Sequence, residues 1–134
     1  MKEYKILIVD DQPENLQTLY EAIKKADKNF KIIKAINGRI AYEAAIKREP
    51  DLIIADWDMP EMSGIELIKE LKKNEKTADI PIIMCTGVMT SSENLEAALD
   101  AGAVDYIRKP VDEIELIART GASLHLAEKY SEVK

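Results

Sequence analysis

The chain has 134 residues, 46% of them apolar and 33% charged, with a formal net charge of -6; this describes one soluble domain with a sizeable core and excludes a fibre, a disordered tail or a pair of domains. Its longest apolar stretches, such as Ile6 to Val9 and Ile82 to Cys85, fall far short of the ~20 residues a bilayer crossing needs, and Met1 to Tyr4 leave no room for a signal peptide, so no membrane contact and a cytoplasmic location are expected. The single cysteine, Cys85, excludes an internal disulfide and a multi-cysteine metal site, and the acidic balance speaks against direct contact with nucleic acid, which needs a clustered basic surface.

In chain order, short apolar runs recur at Lys5 to Val9, Phe30 to Ile36, Leu52 to Ala55, Ile80 to Cys85 and Val104 to Ile107. Rich in Ile and Val and without clean polar alternation, they read as five strands of a parallel sheet covered on both faces. Helical spacing fills the gaps between them. Leu16, Leu19, Tyr20 and Ile23 follow Pro13 in a first helix. Ile40, Ala41, Ala44 and Ala45 form a second, ended by Pro50, and Ile65, Leu67, Ile68 and Leu71 a third. Leu95, Ala98 and Leu99 form a fourth, stopped at Gly102. The fifth is expected to use Asp112 as its cap and to carry Ile114, Ile117, Gly121 and Leu124 on one stripe.

Strand starts lie roughly 21 to 29 residues apart, the length of one strand, one helix and two short loops. The fold class is therefore α/β, a (βα)5 chain wound with helices on both faces of an open parallel sheet. In such sheets the ligand site lies outside the carboxyl ends of the strands.

Those ends carry polar groups. Strand one ends in Asp10 and Asp11, strand three in Asp56, strand four in Thr86, and strand five is followed by Lys109-Pro110. If strands one and three are neighbours, as in the order 2-1-3-4-5, then Asp10, Asp11 and Asp56 converge, and without a counter-ion at least one of them has a raised pKa. A hard divalent cation with oxygen ligands resolves the conflict, which points to Mg²⁺. A carboxylate beside Mg²⁺ can act as a nucleophile toward phosphorus, with Lys109 as a point charge and Thr86 as a hydroxyl donor to the phosphoryl oxygens.

Four segments in order, Ile8-Val9-Asp10-Asp11, Asp56 to Gly64 (DWDMPEMSG), Ile82 to Gly87 (IIMCTG) and Gly102 to Pro110 (GAVDYIRKP), resemble the receiver domain of two-component response regulators, of the chemotaxis type with a flavodoxin-like fold. The resemblance implies the strand order 2-1-3-4-5. It implies that Asp56 accepts a phosphoryl group from a phosphohistidine donor, while Asp10, Asp11 and the backbone carbonyl of Asp58 help hold Mg²⁺. It also implies that Thr86 and Tyr106 move together on phosphorylation and that the Lys109-Pro110 bond is cis. Two positions depart from the family pattern: Asp58 adds an acid beside the pocket, and Val88 offers no polar group to the phosphoryl, both expected to tune the lifetime of the phosphate.

Simpler roles compete for each residue. Asp11 alone could cap the first helix, Asp56 and Asp58 could cap the third, Thr86 could be an ordinary strand-end threonine and Tyr106 a static core aromatic. Cys85 reads as a small buried hydrophobe, His125 as a surface residue remote from the strand ends, and Lys69, Lys72, Lys73 and Lys76 as a solvated face. At the level of function, a phospho-accepting switch of the helix 4, strand 5 and helix 5 surface competes with an aspartyl-phosphate hydrolase of haloacid-dehalogenase type and with a phosphate-independent interaction module. The expected division is a receiver over 1-122 and an extension of the last helix over 123-134, in which Leu124, Ala127 and Tyr130 continue one stripe. Partners implied are a sensor histidine kinase or histidine phosphotransfer protein, a downstream effector or fused output domain, and a homodimer formed on phosphorylation.

Overall fold

The structure is a computed structural model and describes residues 3–87 and 92–133. Strand and helix alternate as β1 (Lys5–Val9), α1 (Pro13–Ala26), β2 (Lys31–Ala35), α2 (Gly38–Arg48), β3 (Leu52–Asp56), α3 (Gly64–Lys73), β4 (Ile82–Thr86), α4 (Ser92–Ala101), β5 (Asp105–Arg108) and α5 (Glu113–Val133). All strand pairs are parallel, in the order β2-β1-β3-β4-β5. The expected α/β architecture, a (βα)5 parallel sheet in the order 2-1-3-4-5, is the one observed.

Alternate strand residues face opposite sides of the sheet, and two apolar layers result. Leu7, Val9, Ile53, Ala55, Ile82 and Met84 pack with α2 and α3 residues such as Ala41, Ala45, Leu67 and Leu71. Ile6, Ile8, Ile54, Ile83, Cys85 and Ile107 pack on the other side with Leu16, Leu19 and Ile23 of α1 and Leu116 and Leu124 of α5. The central strands β3 and β4 are buried along their whole length, which is why they read as continuous apolar runs.

Several boundaries differ from the expected ones. β4 begins at Ile82 rather than Ile80 because Pro81 has no N–H for the ladder; only its carbonyl takes part, accepting from the Ile53 N–H at 3.0 Å. β2 excludes Phe30, which stands edge-on to Tyr4, and Ile36, which is exposed. In α4, Ala98 is buried but Leu99 faces solvent, and the side chain of Leu95 lies outside the described residues. In α5, Asp112 caps as expected, its Oδ1 accepting from the Ile114 and Glu115 N–H groups at 2.8 and 3.2 Å. The buried stripe, however, is Leu116, Thr120, Ser123 and Leu124, while Ile114 is 82% exposed. Two hydroxyl residues occupy inward positions that apolar periodicity assigns to the surface.

Gly102 has φ +123, the positive value a side chain rarely adopts, and a Cβ there would come within 2.8 Å of Lys72 Cε. Lys72 is not part of a solvated face. Its Nζ donates to the carbonyls of Ala78 and Ile80 at 2.9 and 3.2 Å and ties the α3–β4 loop to α3.

Candidate functional site

The sheet order carries the site. β1 and β3 are adjacent, so Asp10, directly after β1, and Asp56, the last residue of β3, stand side by side. Asp56 is in register with Cys85 of β4, and Thr86 with Arg108 of β5. Gly64 permits α3 to begin here: a Cβ would lie 2.5 Å from the Asp56 carbonyl oxygen, so any side chain would push the helix off the strand end. α3 starts with a capping box in which Ser63 and Glu66 satisfy each other's backbone N–H. Asp56 and Asp58 therefore do not cap it. Nor does Asp11 cap α1, whose N-cap position is Gln12.

Carboxylate oxygens of Asp10, Asp11 and Asp56 all lie within 4.8 Å of one another. Asp10 and Asp56 are buried, Asp11 partly so. The Asp10 Oδ1 accepts the Gln12 N–H at 2.9 Å, which orients that carboxylate from the first turn of α1. Lys109 Nζ lies 2.9 Å from Asp10 Oδ2 and 3.1 Å from Asp56 Oδ1. One ammonium thus bridges two acids from three strand ends. Neither carboxylate pairing is local in sequence, so the role of Lys109 as counter-ion of the acids leaves no signature in the motifs.

Burial pushes the Asp56 carboxyl above its ordinary value; the Lys109 hydrogen bond works against that, the Asp10 charge adds to it, and the Asp58 backbone N–H opposes it. One raised acid was expected from mutual repulsion. It is found, with burial as the larger cause. Burial disfavours the Lys109 ammonium as well, yet the hydrogen bonds to Asp10 and Asp56 outweigh this and hold its pKa above the ordinary lysine value. The Cys85 thiol, buried beside these charges, is pushed up to about 12. It is no nucleophile at neutral pH.

Thr86 is buried at the end of β4, and its carbonyl accepts the Lys109 N–H at 2.8 Å. Tyr106 is half-buried, opposite Met84 in the β4–β5 register, and packs on the apolar layer beneath α2 and α3. The Lys109-Pro110 peptide is cis, as expected. The Asp58 side chain is exposed and His125 lies on the open side of α5. Val88, expected to bear on the phosphate lifetime, lies outside the described residues.

Three carboxylates on rigid strand ends make a hard, all-oxygen donor set that suits a divalent cation of the Mg²⁺ kind better than Zn²⁺ or Cu²⁺. Among the described residues no helix is long and apolar enough to cross a membrane.

Residues 6–120 match the family model of the response regulator receiver domain. The chain is 42% identical over 119 residues to the phosphate regulon transcriptional regulatory protein PhoB of Pseudomonas aeruginosa, covering 89% of this chain and 51% of that protein. It is 38% identical over 130 residues to the regulatory protein VanR of Enterococcus faecium, covering 97% and 54%. The chain thus spans about half the length of these curated relatives. Among solved structures, a response regulator from Desulfuromonas acetoxidans superposes with a TM-score of 0.81 at 39% identity, covering 92% of this chain and 98% of that one.

Proposed function

The chain belongs to the response regulator receiver domain family, and we propose that within it Asp56 is the phosphoacceptor, taking a phosphoryl group from a phosphohistidine donor in a Mg²⁺-dependent reaction. The observation that carries this reading is the single ammonium of Lys109 held between Asp10 and Asp56 beside Asp11. An Asp56 carboxylate oxygen attacks phosphorus; the O–P bond forms as the P–N bond breaks, and the imidazole leaves with the bonding pair. Asp10, Asp11 and Asp56, with the backbone carbonyl of Asp58, would hold Mg²⁺, which neutralises the charge that otherwise keeps carboxylate and phosphate apart. Lys109 moves its hydrogen bonds from the carboxylates to the new phosphoryl oxygens, and the Thr86 hydroxyl donates to them.

The readout in this proposal runs through Thr86 and Tyr106 to the surface of α4, β5 and α5. Thr86 is joined through its carbonyl to Lys109, and β4 and β5 are paired residue by residue, so a pull on either end is felt by the other. The partners are a sensor histidine kinase or histidine phosphotransfer protein, and an effector or fused output domain. The receiver unit is residues 1-122, with 123-134 extending the last helix and favouring a homodimer on phosphorylation, in the cytoplasm and without direct contact to nucleic acid. The α5 helix runs to Val133, while the side chains of Ala127 and Tyr130 lie outside the described residues.

Incubation with a radiolabelled histidine phosphotransfer protein and Mg²⁺ tests the reading. One phosphoryl per chain, lost from the donor and slowly released, is the expected result. Steady phosphate release from small phosphate esters would make the chain a hydrolase instead.

A further inference from the structure

We propose that a cavity between the last turn of α1 and the first half of α5 is a binding site for a small amphipathic ligand, a one- or two-ring molecule that is uncharged or cationic and carries an N–H or O–H donor. α1 is 14 residues long, so its final turn lies about 20 Å from the strand ends that carry the acids. The cavity, with a volume of ≈ 240 Å³, is lined there by Ala26, Asp27 and Phe30 and by Ile117, Thr120 and Gly121 of α5. That is larger than the ~150 Å³ void that takes up benzene and smaller than the ~300 Å³ at which sites for drug-sized molecules begin.

Two neighbouring residues on its wall are costly in the free chain. Thr120 is 3% exposed, and its Oγ1 is shielded from solvent with no hydrogen-bond partner among the described residues. A buried, unpaired hydroxyl destabilises a fold. In this proposal, rotation about χ1 between the two wells that helical threonine populates turns the oxygen toward the cavity, which Thr120 lines. Gly121 sits inside a helix, where glycine is unfavourable relative to alanine, yet no atom of the described residues lies within 4 Å of the position its Cβ would take. No contact among the described residues requires a glycine there. A ligand seated over Gly121 accounts for both features, since it needs the missing side chain and supplies the missing partner.

The lining sets the chemistry. Phe30 and Ile117 favour a flat apolar body. Asp27 uses Oδ1 within the chain, accepting the Asn29 N–H at 2.9 Å, and its carboxylate disfavours an anion and favours a donor. Such a ligand would join α1 to α5, the helix that begins just past Lys109-Pro110.

The test is amide-resolved NMR titration of the full chain with indole, and with indole-3-acetate as its anionic counterpart. Saturable shifts confined to Ala26, Asp27, Phe30, Thr120 and Gly121 are expected with indole, and at least about tenfold weaker binding with the anion, the discrimination of one charge contact. Thr120→Val should weaken indole about tenfold, the loss of one hydrogen bond, while melting no lower than wild type without the probe, because it removes an unpaired hydroxyl. Thr120→Ser should bind as wild type. Gly121→Leu should keep the fold and abolish the shifts. Absence of saturable shifts at these amides, equal binding of the anion, or indifference to Thr120→Val would overturn the proposal.

Discussion

Lys109 Nζ stands 3.1 Å from Asp56 Oδ1 and leaves only about a quarter of its own side chain to solvent (23%). The ammonium that the proposed reaction would present to a phosphoryl group is, before that event, the counter-charge of the acceptor itself. The same group reaches Asp10 at 2.9 Å, so the pocket is partly neutralised and the acid not bridged is Asp11.

Removing the bridge should be costly. Lys109→Ala leaves two buried carboxylates without their counter-ion, and about 2 kcal/mol of stability should be lost, below the ~3–5 kcal/mol of a fully buried pair because the lysine is partly solvated. Urea unfolding in EDTA measures this. Folding should survive, whereas the response to phosphorylation should not. A stability equal to wild type would mean that the bridge contributes nothing.

The raised pKa of Asp56 has a definite sign in the pH dependence. The folded state holds this proton more tightly than the unfolded state, where the group titrates near its ordinary 3.8. The group's contribution to stability is therefore fully present below that value and is lost as pH rises through the folded pKa. In EDTA, the wild type should lose more stability across this interval than Asp56→Asn. Superimposable pH profiles of the two proteins would remove Asp56 as the titrating group.

Asp11 is the acid that Lys109 does not reach. Asp11→Asn should relieve repulsion in the metal-free pocket and raise its melting temperature in EDTA. Mg²⁺ should stabilise the wild type by about 2.7 kcal/mol at a hundredfold excess over its dissociation constant, and the variant by less. Thermal melts of both proteins, with EDTA and with Mg²⁺, give all four values; equal gains from the ion would exclude Asp11 from the set of ligands.

The strand ends were legible because the pattern behind them is simple: buried parallel strands read as unbroken Ile and Val runs, and each run stops at a polar residue. Asp10, Asp11, Asp56, Thr86 and Lys109 all stand where those stops fall. What was not legible depends on packing across the chain. The Lys109 bridge joins residues 99 and 53 positions apart, and Lys72 turns inward onto two loop carbonyls although Lys69, Lys73 and Lys76 face water. On α5 the inward row contains Thr120 and Ser123, whose polarity hides the true face from any reading based on hydrophobicity.

Glu49 ends α2 with φ 45, ψ 65, a left-handed conformation that disfavours a side chain. Glu49→Gly should gain about 0.5–1 kcal/mol and raise the melting temperature without affecting the acid pocket. An unchanged or lower melting temperature would show that the glutamate side chain compensates for its own backbone.

The central claim is that Asp56 carries the phosphoryl group, and intact-mass and peptide mass spectrometry after treatment with acetyl phosphate and Mg²⁺ tests it most directly. One added phosphoryl is expected, mapped to Asp56, dependent on the metal and absent from Asp56→Asn. A stable phosphoryl on that variant, or on another residue of the wild type, would contradict it.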